Sequence, residues 1–147
     1  MTDILESTDL IDPWLYSTLS TDSTITSLVN GRISNTLSQD ELDTPYITFM
    51  SSAARAVRGV GGTLLDVDAQ YQIKAVSQSG SFDQASSIAA RIRALLDRKN
   101  VTTASPLTPV PATIACWWEL EIRYPELHEG YWYLHLGAQY RIRATVL

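Results

Sequence analysis

Period-two alternation is the feature that most constrains this chain. In LLDVDAQYQIKAV, Leu65, Val67, Ala69, Tyr71, Ile73 and Ala75 fall on one side, and Asp66, Asp68, Gln70, Gln72 and Lys74 on the other. Side chains of a strand point alternately to opposite faces, so this predicts a strand with one buried face. The pattern recurs in TIACWWELEIRY, where Ile114, Cys116, Trp118, Leu120, Ile122 and Tyr124 are in phase. It recurs again in YWYLHLGAQYRIRATVL, with Trp132, Leu134, Leu136, Ala138, Tyr140, Ile142, Ala144 and Val146. The polar PELHEG between them is short and ends in glycine, which predicts a hairpin. TPYITFMSS is β-branched and aromatic and predicts a further strand from Tyr46 to Ser51.

Two stretches follow a helical period instead. In SGSFDQASSIAARIRALLDRKN, Phe82, Ala85, Ile88, Ala89, Ile92, Leu95 and Leu96 make one stripe, which predicts a helix over about 82–98. Ser81 and Gln84 stand at capping-box spacing, and Arg98 and Lys99 suit the negative end of the helix dipole. Near the start, Asp12 and Pro13 read as an N-cap and first turn, with Ile11 and Tyr16 as a hydrophobic staple. A second short helix begins at Asp22 or Ser23 and stops at Asn30-Gly31, a pair suited to a left-handed C-cap. Together these predict a broken helix over about 12–29. NVTTASPLTPVPA, rich in proline and threonine, predicts an extended connection over about 100–112.

The order helix, two strands, helix, two strands predicts an α+β fold. It is a single antiparallel sheet of about four strands, with the long helix on its apolar face. At 147 residues this is one domain, 1–147. A strand from Tyr131 to Leu147 would run ~55 Å at ~3.3 Å per residue, against a domain diameter of ~40 Å. That strand must bend or overhang its core, and an overhanging edge leaves backbone groups that need a partner chain.

RAVRGVGGT, with Arg55 and Arg58 ahead of Gly59, Gly61 and Gly62, invites a phosphate-binding reading. Such a loop leads from a strand into a helix whose N-terminal amides hold the anion. Here the glycines lead into another strand, no Lys-Ser or Lys-Thr pair follows, and the dinucleotide spacing is missing. The segment 53–63 is expected to be a flexible loop.

Other chemistry is sparse. Asp66 with Asp68 and Glu119 with Glu121 form carboxylate pairs that a metal site or an acid–base pair would use. The same pattern serves an exposed ion-paired face that also carries Lys74, Arg123, Arg141 and Arg143. His128 and His135 lack partners at ligand spacing, and Cys116 falls in phase with core residues. Trp117 points opposite to Trp118, either to an interface or beneath the N-terminal helix. A net charge of -5 opposes general nucleic-acid binding, and the lone cysteine excludes an internal disulfide. No apolar run is long enough to span a bilayer, and the acidic MTDILESTDL lacks a signal-peptide pattern, so a cytosolic site of action is expected.

WLYSTLSTDSTITSLVNGRIS, QDELDTPYITFMSS and VDAQYQIKAVSQSGSFDQASSIAARIRALL, in that order, resemble the tail-terminator and tail-completion proteins of long-tailed bacteriophages. The resemblance spans roughly Leu10 to Arg98 and rests on residue types rather than an invariant motif. It implies a structural virion protein of the neck, assembled in the host cytoplasm, with no catalytic residue, cofactor or metal. It further implies a hexameric ring that caps the tail tube, stops its polymerisation and meets the head-tail connector. On that reading the partner-facing residues are Arg55, Arg58, Gly59, Gly61, Gly62, Trp117, Arg141 and Arg143. Another neck component, or a small ligand-binding or metal-dependent enzyme using the sheet carboxylates, are the rival readings.

Overall fold

The computed structural model describes residues 8–35 and 43–147. Its elements are α1 (Thr8–Ser20), α2 (Ser23–Val29), β1 (Ile33–Ser34), β2 (Tyr46–Arg58), β3 (Leu64–Ser77), α3 (Asp83–Leu96), β4 (Lys99–Thr103), β5 (Ala112–His128) and β6 (Tyr131–Val146). They form a mixed α+β fold around one six-stranded sheet, ordered β1-β2-β3-β6-β5-β4. Every neighbouring pair is antiparallel except β1 with β2.

The sheet is larger than the four strands expected from the alternation. The extra strands are short edges: β1 pairs through two residues only, and β4 occupies the start of the connection expected to be extended. Neither is long enough to show a period. The segment 53–63 is also different from the expected loop. Ala53–Val57 pairs with Asp66–Gln70 and, past a register shift that leaves Leu65 as an exposed extra residue and buries Leu64 in its place, Arg58 pairs with Leu64, so strand pairing runs nearly to the glycines. Alanine repeats and arginines carry no alternation there because both faces of this outer part are exposed.

The α3 stripe faces the sheet as expected, with Ala85, Ile88, Ile92 and Leu96 buried. Its cap is different: Ser81 and Gln84 do not close a capping box, and Gln84 Oε1 accepts from Ser77 Oγ at 2.5 Å. At the other end of the chain, α2 has the expected caps. Asp22 accepts from the Ile25 amide at 2.9 Å, and Asn30 is left-handed at φ 52°. α1 already runs through Thr8, which places Pro13 inside the helix and releases Asp12 from capping. Asp12 instead accepts from Asn35 and from the buried Tyr71 hydroxyl, tying α1 to β3 and to the residue that follows β1. Tyr16 is exposed, so it does not staple Ile11.

A register shift between Trp118 and Leu120 has the largest consequence. Trp118 pairs with Tyr140 and Leu120 with Gln139, leaving Glu119 as the extra residue of a bulge. A bulge bends a strand and reverses its phase. Ile114, Cys116 and Trp118 face the helices, but Leu120, Ile122 and Tyr124 turn to the opposite face. β6 keeps one phase throughout, as expected. Gly137 sits where the strands come closest: a Cβ there would meet Ile73 O at 2.1 Å and Lys74 Cα at 2.4 Å. Only glycine allows β3 and β6 to cross this tightly.

A candidate assembly interface

Paired residues share a face, so the register builds the site row by row. On the face away from the helices, Ala53, Gln70, Arg141 and Trp117 form one row, and Arg55, Asp68, Arg143 and Ala115 the next. The acidic and basic side chains then pair diagonally. Arg141 forks onto both oxygens of Asp68, Nε at 2.8 Å from Oδ1. Arg143 Nη2 reaches Asp66 Oδ2 at 2.8 Å, and Thr145 Oγ1 donates to the same carboxylate. The Arg141 guanidinium holds the Asp68 carboxyl below its ordinary range, and each arginine is held further in its charged form by its partner. Arg141 also lies over the Trp117 ring at 5.9 Å. Trp117 is therefore on the outer face, not beneath α1.

These contacts bear on the rival use of the carboxylates. Asp66 and Asp68 are each occupied by an arginine, and Glu119 accepts from Gln139 at 3.2 Å while Glu121 points to the helix face. The four do not converge. Among the described residues no group of three His, Cys, Asp or Glu side chains could hold a metal ion. Cys116 is buried, and burial pushes its thiol up to about 12, leaving it protonated at neutral pH.

The expected partner residues thus divide. Arg55, Trp117, Arg141 and Arg143 share one face. Arg58, Gly59, Gly61 and Gly62 instead build the tip of the β2/β3 hairpin. There Arg58 donates to Gly62 O at 3.0 Å, and Gly61 and Gly62 have φ of 85° and 86°, values that disfavour any side chain. Val60 at this tip is fully exposed, with Val57 and Leu65 beside it.

Two features were not foreseen from the sequence. The first is a second exposed apolar group at the β5/β6 tip: Leu127, Tyr131 and Trp132. Trp132 was visible as in-phase with the core, and only strand overhang exposes it. The second is a buried polar cluster on the ladder face. Tyr46, Thr48, Lys74 and His135 are buried there, with Lys74 donating to the Tyr124 hydroxyl and His135 Nε2 at 3.1 Å from Glu126. Tyr124 stacks on His135 at 4.5 Å. The cluster is buried on the face that carries no helix, and Lys74 on β3 reaches Tyr124 on β5 across β6, so the outer β5/β6 hairpin curls over this face. Burial and the nearby Lys74 charge lower the His135 pKa to about 4. The bulge at Glu119, which brings Tyr124 and Glu126 to this side, leaves no mark in composition.

Comparison with known proteins matches this architecture. The family described as Tail completion protein gp17 matches over residues 13–118, more than half of the chain. Among solved structures, a chain from the "Virion of native gene transfer agent (GTA) particle" is similar in fold, with a TM-score of 0.59. It is 13% identical, and the alignment covers 89% of this chain and 91% of that one. Among curated proteins no sequence matches. The family match shows that this chain is a member of the tail completion protein gp17 family, a structural component of a phage tail.

Proposed function

We propose that this chain is the tail terminator: a ring of copies, six by the family resemblance, seated on the head-proximal end of the tail tube. The ring ends polymerisation sterically, because a tube capped by a different surface adds no further tube subunit. Its other end meets the head-tail connector. The observation that carries this reading is the placement of exposed apolar side chains at both ends of one sheet. Val57, Val60 and Leu65 crown the β2/β3 tip, and Leu127, Tyr131 and Trp132 crown the β5/β6 tip. The antiparallel register sends these tips in opposite directions along the strands. A piece joining a tube to a head needs two such ends, and exposed apolar clusters of this kind mark protein contacts.

Electron microscopy of particles from the source virus with this gene deleted tests the reading. Overlong tubes of uneven length beside DNA-filled, tailless heads are expected. Tails of normal length beside leaking heads would assign the chain to head completion instead.

A further inference from the structure

The sheet has two open edges that fit one another. Among the described residues, β1 pairs with β2 only at Ile47 and Thr48, and β4 pairs with β5 only from Ala112 to Cys116. Beyond these short blockers, Met50–Arg58 on β2 and Leu120–His128 on β5 have no outer strand among the described residues, and the two segments are equal in length. Open edges of this kind offer unpaired backbone donors and acceptors to another strand. We propose that the Met50–Arg58 edge of one copy pairs with the Leu120–His128 edge of the next, making one continuous sheet around the ring. This rests on the ring reading above and names the surface that closes it.

Four observations select a second copy of this chain as the occupant. Charge is the first: the β2 edge carries Arg55 and Arg58 and no carboxylate, while Glu121 and Glu126 lie within Leu120–His128 and Glu119 and Glu129 flank it, against Arg123 alone. Each edge also exposes apolar side chains, Met50 and Val57 on one and Leu120 and Leu127 on the other. Direction is the third. β2 and β5 run antiparallel within the sheet, and rotation about a ring axis preserves strand direction, so the two edges meet as an antiparallel pair. The fourth is curvature. The β5/β6 hairpin curls toward the ladder face, so copies joined this way close with their helices outside.

The blockers also fix the stagger. Within its own sheet Ala54 lines up with Ala69, Ile142 and Cys116, whereas across the junction it faces the middle of Leu120–His128. The shift is ~25 Å at ~3.3 Å per residue, over a width of ~19 Å for four strands. In a closed sheet such an offset becomes strand tilt, here ~50°, just beyond the usual range of ~35–45°. Pro125 has no N–H to give, so one rung of this junction lacks a donor. That feature discourages indiscriminate pairing of the edge with other strands.

Cysteine cross-linking tests the junction. Ala54→Cys is combined in turn with Glu121→Cys, Arg123→Cys and Leu127→Cys, and, as control, with Thr102→Cys on the β4 edge. Cys116 is 1% exposed and contributes little background. Purified protein and assembled particles are oxidised, and native mass spectrometry reports the oligomer in parallel. At least one edge pair is expected to give a disulfide ladder ending at the ring's copy number, with none from the control. An intact oligomer without edge cross-links, or a ladder from the control alone, would overturn the junction and leave the ring reading standing. Absence of any oligomer, in solution and on particles, would overturn the ring reading and the junction together.

Discussion

Single positions set the tightest tests. A Cβ on Gly137 would collide with backbone on β3, which has no rotamer to yield. Gly137→Ala is expected to destabilise the fold by about 3 kcal/mol, read as a lowered urea midpoint. Tyr46 is the reverse case. Its hydroxyl is buried without a partner among the described residues, and burial raises its pKa to about 12. Tyr46→Phe removes an uncompensated polar atom and should raise stability by ~1 kcal/mol. His135 sets a pH dependence, with Lys74, Tyr124 and Glu126 beside it. Its folded pKa of about 4 lies below the ordinary 6.5, so the unfolded chain binds more protons between these values. The stability it contributes is fully present above pH 6.5 and is lost as pH falls toward 4. The loss is on the order of 3 kcal/mol. His135→Phe keeps an aromatic ring against Tyr124 and should flatten that slope in denaturation at stepped pH. An unchanged slope would place the titration elsewhere.

At the scale of elements, the β2/β3 hairpin separates stability from assembly. Its tip makes few internal contacts, so Val60→Asp is expected to leave the melting temperature within about 2 °C of the parent, as surface changes do. The same variant should fail to stop tube growth, giving long, uneven tails by electron microscopy when it replaces the parent gene. Normal tail lengths would remove this tip from the tube contact. The Asp66–Arg143 and Asp68–Arg141 ladder stiffens the hairpin's base without adding much stability, since exposed ion pairs are worth ~0–1 kcal/mol. β5 shows how one extra residue reassigns a strand: the Glu119 bulge moves Leu120, Ile122 and Tyr124 off the helix face.

For the whole molecule, the proposed function needs two ends that act independently. Trp132→Ser at the β5/β6 tip should preserve tail length but leave finished tails unjoined to heads, counted as free tails in lysates. Coincident loss of both activities from either tip variant would argue for a single contact surface. The long overhang expected from the ~55 Å strand is resolved by both routes at once. The bulge and Gly137 coil the sheet, and the tip at Glu129-Gly130 still projects, with Tyr131 and Trp132 exposed.

The sequence by itself determined the α+β class, the long alternating strands, the α3 stripe, the α2 caps and the tail-completion resemblance. Each of these is written locally, in a period or a cap of a few residues. Tertiary structure alone decided the two edge strands, whose pairing is too short to show a period. It also decided the extension of β2 into the expected loop, where exposure on both faces erases alternation. The expected partner residues split for the same reason: Arg55, Trp117, Arg141 and Arg143 meet through cross-strand register, while Arg58 and the glycines sit at the tip. Register, bulges and curl depend on which strands become neighbours, and long-range pairing leaves no trace in the local pattern of residues.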